Sequence, residues 1–330
     1  MKGEPRQRAE RAAAPRGERS PVSALRSQRL RKYGFVGGFL VVPVTLYLVF
    51  VISPYIQAFQ LSLTSWNGYQ ASPTYIGFEN FTRLLGDSVF WSAVRNHGVL
   101  LLVLPLVTIA IALVFAFLLN VGGGSRGAGM TGVVGSTFYK IVFFAPQVLA
   151  VAIVGVLWRA IYRPDESGVI NGVLIGLGLE PVGWMTEPSL ALWSLIAVMV
   201  WQAVGFYVVL FSAGMAAIPK DYFEAASLDG AGRVRLFFSI TLPLLWDTIQ
   251  VGWVYLGIAA FDGFALVTVL TMDAGGPDNA TSVLPVEIFK NAFNYSKVGY
   301  ASAMGVALFF LTITFAVLTL RVSRREKVEL

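Results

Sequence analysis

Six apolar runs alternate with polar stretches along the chain, near 35–56, 97–119, 139–161, 189–213, 243–270 and 300–321. Each is long enough for the roughly 20 residues that a helix needs to cross a bilayer core. Hydrocarbon offers no partner to exposed backbone groups, so such runs predict helices. The pattern therefore predicts an all-α, polytopic membrane protein with six transmembrane helices in a domain spanning 35–330. Pro43 and Pro54 interrupt the first run and predict kinks, which a membrane protein tolerates where neighbouring groups satisfy the freed backbone.

One polar stretch, 218–243, looks built rather than merely solvated. Its sequence is IPKDYFEAASLDGAGRVRLFFSITLP, between the fourth and fifth runs. Pro219 suits a first helical turn, Tyr222 to Leu228 are mostly helix formers, and Asp229-Gly230 supplies a stop in which Gly can turn left-handed. A second amphipathic turn sets Arg233 and Arg235 apart from Leu236, Phe237, Phe238 and Ile240, and Pro243 opens the next run. The expectation is a helix–turn–helix knob at the membrane surface. Ala225, Ala226 and Ala231 are small enough to let another backbone come close.

Glu224-Ala225-Ala226, Asp229-Gly230-Ala231, Phe237, Ile240 and Leu242-Pro243 resemble the EAA coupling loop of the membrane subunits of ATP-binding-cassette importers. Weaker resemblances point to the carbohydrate branch, with its MetI-like, type I importer fold. They are Trp66-Asn67-Gly68 with Tyr75-Ile76-Gly77-Phe78-Glu79-Asn80-Phe81, the loop ending in Trp184, Glu187 and Pro188, and Thr271 followed by Gly275-Gly276-Pro277. The last departs from the family turn by one extra residue.

Composition narrows the class further. With 56% hydrophobic and 13% charged residues and a mean hydropathy of +0.67, an ordinary soluble domain is excluded. There is no Cys, so disulfides, thiolate catalysis and Cys-ligated metals drop out. The one His, His97, cannot form a His-based metal site alone, and it reads as an interfacial polar residue. Residues 1–34 carry ten Lys/Arg against Glu4, Glu10 and Glu18. They read as a disordered basic tail near acidic headgroups and as the flank of an uncleaved anchor, not as a nucleic-acid arm. Counting the loops, 19 Lys/Arg fall on one side and 6 on the other. The bias puts both termini and the 218–243 loop in the cytoplasm.

The glycines at 122, 123, 124, 127 and 129 suggest a phosphate cradle only superficially. No Gly-Lys-Ser/Thr follows and no strand precedes, so a flexible connector is expected and the chain should not hydrolyse ATP. For a solute pathway the candidates are Trp201, Gln202 and Phe206 on the fourth span and Asp262 on the fifth. Gln202 and Phe206 share a helical face. A carboxylate at mid-bilayer costs about 2.5–3.5 kcal/mol, so Asp262 must face a cavity, a partner or the interface. Rings that stack on a sugar's apolar face, with amide and carboxyl groups for its hydroxyls, suit a saccharide. Trp201 and Phe206 could equally be packing residues, and Asp262 could meet a partner subunit.

The resemblance implies a permease for a sugar delivered by an extracytoplasmic binding protein. It also implies a second, homologous permease, two ATP-binding-cassette ATPases that hold ATP and Mg, and the cell membrane as location. On that basis this chain binds no cofactor and no metal, meets no nucleic acid, and has no catalytic residue. Coupling to the ATPases would run through Glu224, Ala225, Ala226, Asp229, Gly230, Ala231, Phe237 and Pro243. An importer of peptides, amino acids or phosphate esters shares the same loop. A secondary transporter would need more intramembrane carboxylates than Asp262 and Asp247, and a membrane enzyme lacks the clustered acid, base or nucleophile it requires.

Overall fold

The computed structural model describes residues 21–121 and 133–323. The first twenty residues of the basic tail and the glycine-rich connector at 122–132 lie outside them. Among the described residues four helices are long and apolar enough to cross a membrane, and two sharply bent helix pairs raise the number to six. The chain forms two compact units, one ending at Gln57 and one beginning at Ala58.

In the first unit α1 (Pro21–Tyr47) runs through a wide π turn at Leu48–Ile52 into α2 (Ser53–Ser62), within which the unit ends. Residues 21–34, expected as part of a disordered tail, are helical instead. Pro21 sits in the first turn, where its missing N–H is harmless, and Ala24, Leu25, Arg26, Gln28 and Leu30 are strong helix formers that lead into the apolar run without a breaker. The π turn lies just before Pro54, which has no N–H to bond the Phe50 carbonyl in α geometry.

In the second unit α3 (Glu79–Leu85) precedes α4 (Ser88–Val121), which pairs extensively with α8 (Pro188–Ala216). α5 (Ser136–Val148) also lies on α8. It comes so close that a Cβ at Gly205 would overlap the Phe143 carbonyl, the approach that small residues allow between membrane helices. The short helix α7 (Val169–Gly176) is held by Asn171, whose amide donates to the Arg163 and Val182 carbonyls at 2.9 Å and accepts from Trp184 at 3.2 Å. Asn80 similarly donates to the Ser62 and Thr64 carbonyls. Asn80 and Asn171 thus act as struts for irregular backbone, which must be satisfied wherever it is buried.

Two expected straight spans are broken. The third consists of α5 and α6 (Val151–Ile161), which meet at 97° because Leu149 and Ala150 are extended. In the fifth, the segment Arg233–Leu244, containing α10 (Arg233–Leu236) and α11 (Leu242–Leu244), meets α12 (Trp246–Phe261) at 71°. α12 then stops at Asp262, and α13 (Phe264–Leu270) resumes after Gly263. A loop with two 3₁₀ turns leads to α14 (Leu284–Phe289), and α15 (Val298–Ser323) closes the described chain. His97, expected as a polar residue where a loop meets an apolar run, is instead enclosed within a helix. It lies in the third turn of α4 and is 2% exposed.

Candidate functional site

Two places combine unusual backbone with unusual side chains. One is a cavity of about 400 Å³, where the breaks of the third and fifth spans face the middle of α8. Its polar lining is Gln147, Gln202 and Asp262, and its aromatic lining is Phe206, Tyr207 and Tyr255. The breaks explain the polarity. A helix that stops inside a membrane leaves carbonyls without partners, and the Gln202 amide reaches the freed Leu149 carbonyl at 3.4 Å. Asp262 is the residue on which α12 ends, so its carboxylate is exposed at a chain break instead of lying along a continuous helix.

Three of the four pathway candidates from the sequence, Gln202, Phe206 and Asp262, line this one cavity. Trp201 does not. Its ring meets Trp158 edge to face at 5.3 Å, on the neighbouring face of α8. Gln147 and Tyr255 were not anticipated. Gln147 had a signal in the preceding Pro146, which cannot bond the Val142 carbonyl and weakens the helix just before it breaks. Tyr255 had none, since one Tyr in an apolar run is compatible with packing or with a lining role.

The other place is the knob. α9 (Lys220–Leu228) ends in two reversed backbone bonds, Gly230 N–H to the Ser227 carbonyl at 3.1 Å and Ala231 N–H to the Ala226 carbonyl at 2.9 Å. Gly230 has φ +77, the left-handed geometry that this termination requires. Phe223 and Leu236 are buried in the main core, and the Phe237 ring packs edge to face on Phe117 of α4 at 5.1 Å. Glu224, Ala225, Asp229 and Gly230 are exposed, beside Leu228 at 89% and Val234 at 72% exposure. Ala226 and Ala231, expected at the contact face, turn partly inward against the core. Pro243 lies in α11, at the entry to the bend of the fifth span.

Among the described residues no group of three or more His, Cys, Asp or Glu could hold a metal ion. Outside the membrane, the Ser167 hydroxyl and N–H both donate to Asp165 and hold its carboxyl below the usual carboxylate range.

Comparison with known proteins agrees with this architecture. The chain is 40% identical over 321 residues to the diacetylchitobiose uptake system permease protein NgcF of Streptomyces coelicolor, covering 94% of this chain and 90% of that one. It is 31% identical over 291 residues to the trehalose/maltose transport system permease protein MalF of Thermococcus litoralis, covering 88% and 94%. In fold it matches a chain of a bacterial transporter that imports the acidic polysaccharide alginate, with TM-score 0.76 at 21% identity over 90% of this chain and 98% of that one. Residues 88–328 match the model of the binding-protein-dependent transport system inner membrane component. The chain belongs to that family, the membrane permeases of ATP-binding-cassette importers.

Proposed function

We propose that the chain conducts a neutral saccharide, handed over by an extracytoplasmic binding protein, through the cavity between the two broken spans. The observation that carries this reading is the lining itself: two amides, one carboxylate and three aromatic rings, with no Lys or Arg. Amides and a carboxylate take hydroxyl groups, and ring faces take the apolar faces of pyranoses. A zwitterion or phosphate ester needs a cation opposite its anionic group, and none lines the cavity. The relatives carrying diacetylchitobiose and trehalose/maltose in their names support the same class.

On this reading the chain works with a second permease and two ATPases that bind ATP and Mg. Both termini and the knob face the cytoplasm, as the Lys/Arg bias requires. The exposed face of α9, with Glu224, Ala225, Asp229 and Gly230, receives the ATPase. Its roots, the buried Phe223 and Leu236 and the half-buried Phe237 against Phe117, carry the displacement into α4 as a rigid-body movement. The chain itself performs no hydrolysis.

The test is ATP-driven uptake into vesicles holding the complete assembly, with diacetylchitobiose and a uronate disaccharide compared. Uptake of the neutral sugar at least about tenfold above the uronate, a difference of about 1.4 kcal/mol, is expected. Replacing Asp262 with Asn should narrow that gap. Equal uptake of the two solutes by the unmodified assembly would contradict a carboxylate-lined pathway.

A further inference from the structure

We propose that Asn96 and His97 of α4 are positioning residues for transport, tying the loop between α13 and α14 to the rim of the cavity so that loop and rim move as one body. The inference rests on the importer reading above, in which that loop lies on the side where the binding protein arrives.

The loop is held in an unfavourable conformation. Asp273, Ala274, Asp278 and Asn279 have φ between 49 and 59, left-handed geometry that residues with a Cβ adopt only where their surroundings impose it. Part of the constraint is internal: Gly275 N–H donates to Thr271 Oγ1 at 3.1 Å, and Thr281 N–H to the Gly275 carbonyl at 2.9 Å. The buried Glu287 carboxylate adds two bonds, from Ser282 Oγ at 2.6 Å and Lys290 Nζ at 3.1 Å. The remaining tether comes from a different helix. Asn96 Nδ2 donates to the Ser282 carbonyl at 2.8 Å and to the Asn279 carbonyl at 3.2 Å. Leu284 N–H donates to His97 Nδ1 at 3.4 Å.

His97 Nδ1 also lies 3.2 Å from the Ala93 carbonyl, a contact that needs a proton on that nitrogen. Leu284 is fully buried, and its N–H has no other acceptor among the described residues. With the proton on Nδ1 the Leu284 N–H is left unpaired; with it on Nε2 the ring N–H has no partner among the described residues and Nδ1 is free to accept from the loop, and the tether takes this second form.

The same imidazole reaches the cavity. Its ring stacks on Phe261 at 5.4 Å between centroids and 27° between planes, and Phe261 immediately precedes Asp262. Val283, also fully buried, packs across Gly263 on the far side of the break. One side chain therefore touches both the loop and the residue that aims the cavity's carboxylate. Neither His97 nor Asn96 lines the cavity. Their role is to pass displacement from loop to rim, which needs a rigid connection.

The test uses the complete assembly in vesicles and its binding protein, loaded with whichever of diacetylchitobiose, trehalose and maltose stabilises that protein most. ATPase rate is measured with and without the loaded protein. His97→Leu keeps an apolar body and removes the acceptor. It should cut the stimulated-to-basal ratio by about fivefold or more, the lower end of ordinary coupling between sites, with the basal rate held within about twofold. His97→Asn keeps an acceptor at the δ position and should recover most of the ratio. Asn96→Ala, a smaller change to packing, should also lower it, which keeps the test open if His97→Leu does not assemble. An unchanged ratio in the assembled variants, or equal loss in His97→Leu and His97→Asn, would overturn the tether. Unmodified assembly that no loaded binding protein stimulates would overturn the importer reading and the tether with it.

Discussion

In the knob, a short local sequence settles the backbone: Gly230 ends α9 with two reversed bonds, and Phe223, three residues into the helix, roots it. In the cavity, the decisive backbone features lie far apart in sequence, at Leu149-Ala150 and Asp262-Gly263, and come to one cavity only once α5 and α12 have packed on α8 and α6 on α13. The knob is a helix–turn–helix rooted in the core, with Glu224 and Asp229 exposed beside Leu228 and Val234. The cavity is a set of helix ends, one of whose freed carbonyls, that of Leu149, is met by the Gln202 amide. Rigidity suits a part that receives force, and broken helices suit a part that must bind and release a polar solute within a membrane.

The comparison can be broken most forcefully at the knob's root. Phe223→Ala should destabilise the docked knob by about 3 kcal/mol, the low end for a buried Phe. ATP-driven uptake should collapse while the chain still inserts, as read by protease protection together with transport. On the cavity side, Gly205→Ala should cost about 1–3 kcal/mol by forcing α5 away from α8. It should lower the melting temperature of the purified assembly and weaken saccharide binding together. A smaller effect is expected from Gly230→Ala, about 1 kcal/mol for a Cβ in left-handed geometry. Here ATPase activity should persist while uptake per ATP falls, and unchanged uptake per ATP would remove Gly230 from the coupling path. Gln202→Leu should barely move stability, because the bond to the Leu149 carbonyl is long, at 3.4 Å. The affinity for saccharide should nevertheless fall by about 1 kcal/mol, the ordinary worth of one hydrogen bond, seen as a raised half-saturating concentration with little change in maximal rate.

The same contrast explains what could be read from the residues. Pro219, Asp229-Gly230 and the split between Arg233/Arg235 and Leu236/Phe237 are local determinants, so the helix–turn–helix of the knob is legible in the sequence. The shared face of Gln202 and Phe206 followed from helical spacing, and Asp262 stood out by its cost in hydrocarbon. The breaks were less visible. Leu149 and Ala150 are apolar and carry no turn signal, and Asp262-Gly263 read as a polar interruption of one long helix. Trp201 was grouped with Gln202 by adjacency, although neighbours in a helix point about 100° apart. His97 read as interfacial because the polar residues of 86–96 look like loop. From Ser88 on they form the first turns of α4, and contacts that bury His97 come from Phe261 and Leu284, more than 160 positions away.

The central claim is that the solute passes the cavity at Gln202 and not the adjacent Trp201. Because the chain has no Cys, Gln202→Cys and Trp201→Cys each give a single thiol on this subunit, whose modification by a small polar maleimide can be followed in the complete assembly. Passage through the cavity predicts that ATP and saccharide-loaded binding protein change the rate at Gln202→Cys, with bound saccharide protecting it, and leave Trp201→Cys unaffected. Equal rates at Gln202→Cys with and without saccharide would contradict it.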